Sequence, residues 1–78
     1  MHMMRMQVMN AERFFGEVAA CRGDVWLRLS AQSRVSLKND SVVRDLLMLK
    51  KGVLPLSVEA ELSCDRLRLF RFMLEDAA

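Results

Sequence analysis

No run of apolar residues approaches the roughly 18 that a membrane span requires, so no transmembrane segment is expected. Histidine is reduced to one residue, His2, next to the first methionine. Acid–base catalysis thereby lacks its commonest side chain, and no nucleophile, base and orienting group converge in the sequence. No set of His, Cys, Asp and Glu has metal-ligand spacing, so neither a metal nor a cofactor is expected. The glycines Gly16, Gly23 and Gly52 stand alone, which excludes a glycine-rich phosphate loop. Two cysteines, Cys21 and Cys64, allow one bridge at most and have no CxxC spacing. They read as buried or half-buried thiols at element ends, in a reducing cytoplasm. Met1–Met9 is rich in methionine but broken by His2, Arg5 and Gln7, so it lacks the apolar stretch of a secretory signal. Its methionines at 1, 3, 4 and 6 suggest an ambiguous start or a cloning remnant, and residues 1–4 are expected outside the ordered fold.

Charge of one sign is also scarce. A formal net charge of +2 is too small to argue for nucleic acid. Arg66, Arg68 and Arg71 form the densest basic cluster, but Asp65, Glu75 and Asp76 share their segment, so they read as a solvated helix face. Glu59 and Glu61 are the closest carboxylates. They lie two apart on a strand's wet face and are expected to pair with Arg28 or Arg5 rather than share a proton. The Arg22-Gly23-Asp24 tripeptide reads as a helix-to-strand turn.

What remains is a chain of 78 residues, 53% hydrophobic and 28% charged, which is enough for one globular domain. Leu56, Val58, Ala60 and Leu62 alternate with Ser57, Glu59, Glu61 and Ser63, a period of two that predicts a strand over 56–64. Val25, Leu27 and Leu29, then Val35 and Leu37, predict a hairpin with a loop of about four residues at Ser30–Ser33. Residues 5–9 add a strand with Met6 and Val8 on one side. Pro55 is expected in the loop before the last strand.

Three helices fit the remainder. Residues 11–21 place Ala11, Phe14, Phe15, Val18 and Cys21 on one stripe, with Asn10 as N-cap, Gly23 as stop and Arg13 paired to Glu17. Residues 41–51 are expected to send Val42, Leu46, Leu49 and then Val53 inward, after a cap at Asn39, Asp40 or Ser41. Residues 65–76 are expected to bury Leu67, Phe70 and Leu74, flanked by Leu69 and Met73. The order is β-α-β-β-α-β-α, an α+β two-layer open-faced sandwich with a four-stranded antiparallel sheet and three helices on one face. Val43, Leu47 and Met48 lie beside the core stripe of the second helix, as the core's edge or as a partner-binding patch. Asp40 and Ser41 stand at that helix's N-terminus, where capping competes with a regulatory phosphate.

This order, with AERFFGEVAACRGDVWL at 11–27, VSLKNDSVVRDLLMLKKG at 35–52 and LSVEAELSC at 56–64, resembles the histidine-containing phosphocarrier (HPr) family of the sugar phosphotransferase system. The likeness covers residues 5–76, with Lys38 and Lys51-Gly52 at the family's landmarks. It implies that Val43 and Leu47 fall near the patch with which such proteins dock their partners. It also implies a phosphorylatable histidine between the first strand and first helix, in a Gly-x-His-x-Arg-Pro-Ala segment. Gln7, Val8, Met9 and Asn10 occupy that place here, and Arg13 lies one turn further on. The family's regulatory serine falls on Asn39, Asp40 or Ser41; at Asp40 a permanent negative charge would replace the phosphate.

The expected protein is therefore an HPr-like interaction or regulatory domain without phosphocarrier activity, not an enzyme, in a bacterial cytoplasm. Its candidate partner-binding residues are Asn10, Arg13, Val43, Leu47 and Met48, and its candidate regulatory residues are Asp40 and Ser41. The expected partner is a protein, from the phosphotransferase system or its regulation, with the chain itself a monomer or weak homodimer. The alternatives are a phosphocarrier acting through His2, a weak nucleic-acid module using Arg66, Arg68 and Arg71, and a structural dimer formed at an exposed sheet edge.

Overall fold

Alternating apolar residues build a sheet in the order β1-β4-β2-β3, antiparallel throughout, in a computed structural model that describes residues 3–77. Along the chain these are β1 (Met3–Val8), α1 (Ala11–Ala20), β2 (Val25–Ser30), β3 (Ser33–Ser36), α2 (Ser41–Leu49), β4 (Leu54–Ala60) and α3 (Ser63–Ala77). The βαββαβα order and the α+β class are those expected from the sequence. Met6, Val8, Val25, Leu27, Leu54, Leu56, Val58 and Ala60 point to the helices and are buried. Phe14, Phe15 and Val18 of α1 and Leu69 and Phe72 of α3 close the core from above. The Phe14 ring meets Phe15 edge-on at 5.3 Å and Phe72 at 5.9 Å.

Several boundaries move. Strand β1 starts at Met3, opposite Glu59, so Met3 and Met4 belong to the sheet rather than to a loose end. Strand β4 covers 54–60 instead of 56–64. Beyond Ala60, the carbonyl of Leu62 accepts the N–H groups of Asp65 and Arg66 at 3.1 and 3.0 Å, so helical bonding begins where alternation still continues. Pro55 lies inside β4, opposite Gln7 of β1. The β2–β4 ladder spans only Val58–Ala60, so at Pro55 one side of β4 has no partner strand and a residue without an N–H is tolerated. The hairpin loop is two residues, Ala31 and Gln32, and neither has the positive φ of a primed turn. A register shift between Arg28 and Ser30 accommodates it and turns Leu29 out to solvent.

The largest correction concerns which way α2 and α3 face. Val42, Leu46, Leu49 and Val53, expected inside, are exposed, while Val43 and Leu47 pack against the core. On α3 the same exchange occurs: Leu67, Phe70 and Leu74 are exposed, and Leu69 and Phe72 are buried. Asp65, 1% exposed, sets the rotation of α3. Its carboxylate accepts the backbone N–H groups of Arg22 at 2.9 Å and Gly23 at 2.7 Å. With Asp65 fixed inward, helical geometry sends Leu69 and Phe72 inward with it. Asp76, three turns on, accepts the Met9 N–H at 2.6 Å, so a carboxylate ties down each end of the same α3 face.

Candidate functional site

The junction between β1 and α1, where a phosphocarrier would hold its reactive group, is engaged in folding. Asn10 Oδ1 accepts the Arg13 N–H at 3.1 Å and caps α1. Gln7 is exposed on the far face of the sheet, Val8 is buried in the core, and the Met9 amide is taken by Asp76. Arg13 does not pair with Glu17. Its guanidinium lies over the Phe72 ring, 5.7 Å from the centroid, and 4.0 Å from Glu75. Glu17 instead meets Arg68 at 3.6 Å, because α3 rather than the next turn of α1 lies on that side. His2 lies outside the described residues.

At the second candidate region, Asp40 resolves the three-way choice of cap. Its carboxylate accepts the Val43 N–H at 3.1 Å, leaving Ser41 exposed as the first helical residue. Val43 and Leu47 are half-buried, so these two candidates form the inner edge of α2, and Met48 is exposed. Arg44 lines a shallow depression with Phe15, Val18 and Ala19 of α1. Val42, Leu46 and Leu49 lie around the helix from Arg44, on the flank turned away from α1. Val53, beyond the helix end at Leu49 and past Lys50 and Lys51, is exposed as well. Asn10 and Arg13 stand on α1 toward α3, and they do not join the α2 candidates in one surface.

Two polar clusters were missed or half seen from sequence. On the open sheet face, Glu59 is 3% exposed and accepts Arg28 Nε at 3.0 Å, with Arg34 Nη1 at 3.4 Å. The Arg28 bond above all, then Arg34, lowers its carboxyl below the ordinary value of 4.5 against the cost of burial. Arg28 was an expected partner and Arg5 was not chosen; Arg34 comes from the hairpin and lies over the Trp26 ring at 4.2 Å. The second cluster surrounds Asp65. Burial opposes its charge, but the Arg22 and Gly23 N–H groups, with the Cys64 thiol and Lys38, outweigh it and lower the carboxyl below 3.8. Lys38 Nζ donates to the carbonyls of Cys21 at 2.8 Å and Gly23 at 3.3 Å, so the Arg-Gly-Asp tripeptide is a turn clamped from both sides. A Cβ on Gly23 would fall 2.9 Å from Leu62 Cγ, so any larger residue there must displace the exposed Leu62 side chain.

These clusters hold turns and strands together. Cys21 is buried, and burial followed by the Asp65 charge pushes its thiol up to about 11, leaving it protonated and inert. Cys64, expected to be buried or half-buried, is exposed at the start of α3. Arg66 donates to the carbonyls of Ala60 and Glu61, and Arg68 and Arg71 line a groove that also holds Glu17 and Glu75. The three arginines thus present no continuous basic face. Among the described residues no three His, Cys, Asp or Glu side chains gather as a metal site would require, and no helix is long and apolar enough to cross a membrane. No protein-family model matches the chain, and neither does any curated protein or solved structure.

Proposed function

We propose that this chain is a non-enzymatic interaction or regulatory domain of a bacterial cytoplasm, HPr-like in kind, that binds a protein partner without relaying phosphoryl groups. The observation that carries this reading is the outer flank of α2. Leu49 is 78% exposed, and Val42 and Leu46 are exposed on the same flank, so a nine-residue helix with no fully buried residue turns an apolar flank to solvent. Lys50 and Lys51 stand beside this flank without the cover of a neighbouring element. An apolar patch with a cationic rim suits a partner segment that is apolar at its centre and acidic around it. The partner follows from the resemblance: a protein of the sugar phosphotransferase system or of its regulation.

The non-carrier half of the reading rests on the β1–α1 junction, where Asn10, Met9 and Val8 are committed to capping, pairing and packing. Incubation with phosphoenolpyruvate and the system's first enzyme, followed by mass spectrometry of the intact chain, tests it. The expected spectrum shows only the unmodified mass. An acid-labile phosphorylated species would overturn the reading, and its mapping to His2 would establish the phosphocarrier alternative.

A further inference from the structure

The net charge of +2, small for the whole chain, is concentrated on one surface. The four strands carry three basic residues, Arg5, Arg28 and Arg34, and one acidic residue, Glu59. The rest of the chain has equal numbers of basic and acidic side chains, so the strands hold the whole excess. All four residues alternate with the core positions and therefore lie on the sheet face that no helix covers.

Strand pairing sets the three arginines in a row. Arg5 stands opposite Ser57 and Arg28 opposite Arg34, while Arg5, Ser57, Arg28 and Glu59 line one shallow depression. The row Arg5–Ser57–Arg28–Arg34 thus crosses all four strands, a width of about 14 Å at about 4.8 Å per strand. Glu59 does not oppose it, because its carboxylate is 3% exposed and already bound to Arg28 and Arg34. An approaching anion meets a positive row with no exposed strand carboxylate against it.

Besides charge, this surface presents planar groups. Trp26, the one tryptophan of the chain, adjoins the row, and the Arg34 guanidinium lies over its ring at 4.2 Å. Arg28 directs Nε, Nη1 and Nη2 to Glu59 and to the Ala31 carbonyl. An acidic peptide is recognised by the N–H edges of guanidinium groups, and those of Arg28 are engaged within the sheet. Guanidinium planes and aromatic rings stack on nucleobases instead. Arg5 is exposed, and its side chain has no hydrogen-bond or ion-pair partner among the described residues, so its N–H groups remain for a phosphate.

We propose that the open sheet face binds single-stranded nucleic acid, with Arg5 holding a phosphate and the Arg28, Arg34 and Trp26 group carrying bases. A single strand is specified because a duplex keeps its base faces stacked inside. Leu29, 60% exposed, and Met3, 46% exposed, line the same depression and add apolar contact for a base. Past Trp26 the Glu61 N–H donates to the Asp24 carbonyl, so two acidic residues bound the site at that end. The site lies on the opposite side of the sheet from α2 and goes beyond the partner-binding flank.

Fluorescence anisotropy of a labelled single-stranded DNA of about ten nucleotides, at about 20 mM salt and up to about 500 µM protein, tests the proposal. Saturable binding with quenching of Trp26 fluorescence is expected. The log–log salt slope is expected near −2, from about −0.7 for each of the three arginines. Arg5→Gln lowers that slope by about 0.7 and weakens binding on the order of tenfold, and Arg5→Glu abolishes it. Both variants keep the thermal unfolding of the parent, and Arg71→Gln on α3 leaves binding unchanged. No binding up to about 500 µM overturns the proposal, as do Arg5 variants that bind like the parent. Unquenched Trp26 fluorescence at saturation overturns it too. Equal binding of a duplex of the same length, or equal competition by a polyglutamate peptide, also overturns it, since charge alone would then suffice.

Discussion

The carboxylate of Asp65 accepts the backbone N–H of Gly23 at 2.7 Å across 42 residues of sequence. This bond, with its neighbour from Arg22, joins the first turn of α3 to the α1–β2 turn and fixes which face of α3 enters the core. Asp65→Ala leaves two partly buried N–H groups without an acceptor, and the expected loss is about 3 kcal/mol in urea unfolding.

The acid limb of stability should report the same bond. Asp65 and Glu59 both hold carboxyls lowered in the folded state, from ordinary values of 3.8 and 4.5. Below those values the unfolded chain binds more protons than the folded one, so stability is complete above about pH 5 and falls as the pH drops through the folded values. Asp65→Asn and Glu59→Gln each flatten part of this decline, and the gap between each variant and the parent protein narrows in acid. Denaturant midpoints from pH 6 to pH 2 are the measurement.

The orientation of the helices gives a paired prediction. Leu69→Ala, at a site with no exposure, is expected to cost 2–5 kcal/mol, whereas Leu67→Ser, two residues earlier, stays within about 0.5 kcal/mol. The reverse ranking would restore the orientation expected from sequence periodicity.

Helix α2 depends on its cap more than a longer helix would, because it has nine residues and none of them is fully buried. Asp40→Ala is expected to cost about 1 kcal/mol and to raise amide exchange first within Ser41–Leu49.

The strands and their sequence along the chain were legible because alternation has a period of two and only one face of this sheet is covered; Met6, Val8, Leu56 and Val58 could point only one way. The helices were legible as helices but not in rotation. The segment SVVRDLLML carries apolar residues at 42, 43, 46, 47, 48 and 49, so two stripes satisfy the same period. The choice between them is made outside the helical period: by the adjacent Asp40 cap and buried Leu37 for α2, and by the long-range bonds of Asp65 and Asp76 for α3. Asp65 was visible only as a member of a charged segment, and nothing local marked it as buried. For the candidate site, the consequence is an exchange of partners: Val43 and Leu47 serve the core, and the residues expected in the core form the free flank.

That flank is tested most directly by titrating the isotope-labelled chain with the phosphotransferase system's first enzyme and following backbone amide shifts. The account predicts shifts centred on Val42, Leu46, Leu49 and Val53, absent in a Leu46→Asp variant that retains the parent spectrum elsewhere. Unshifted α2 amides at saturating enzyme, or shifts centred instead on the open sheet face around Trp26, would contradict it.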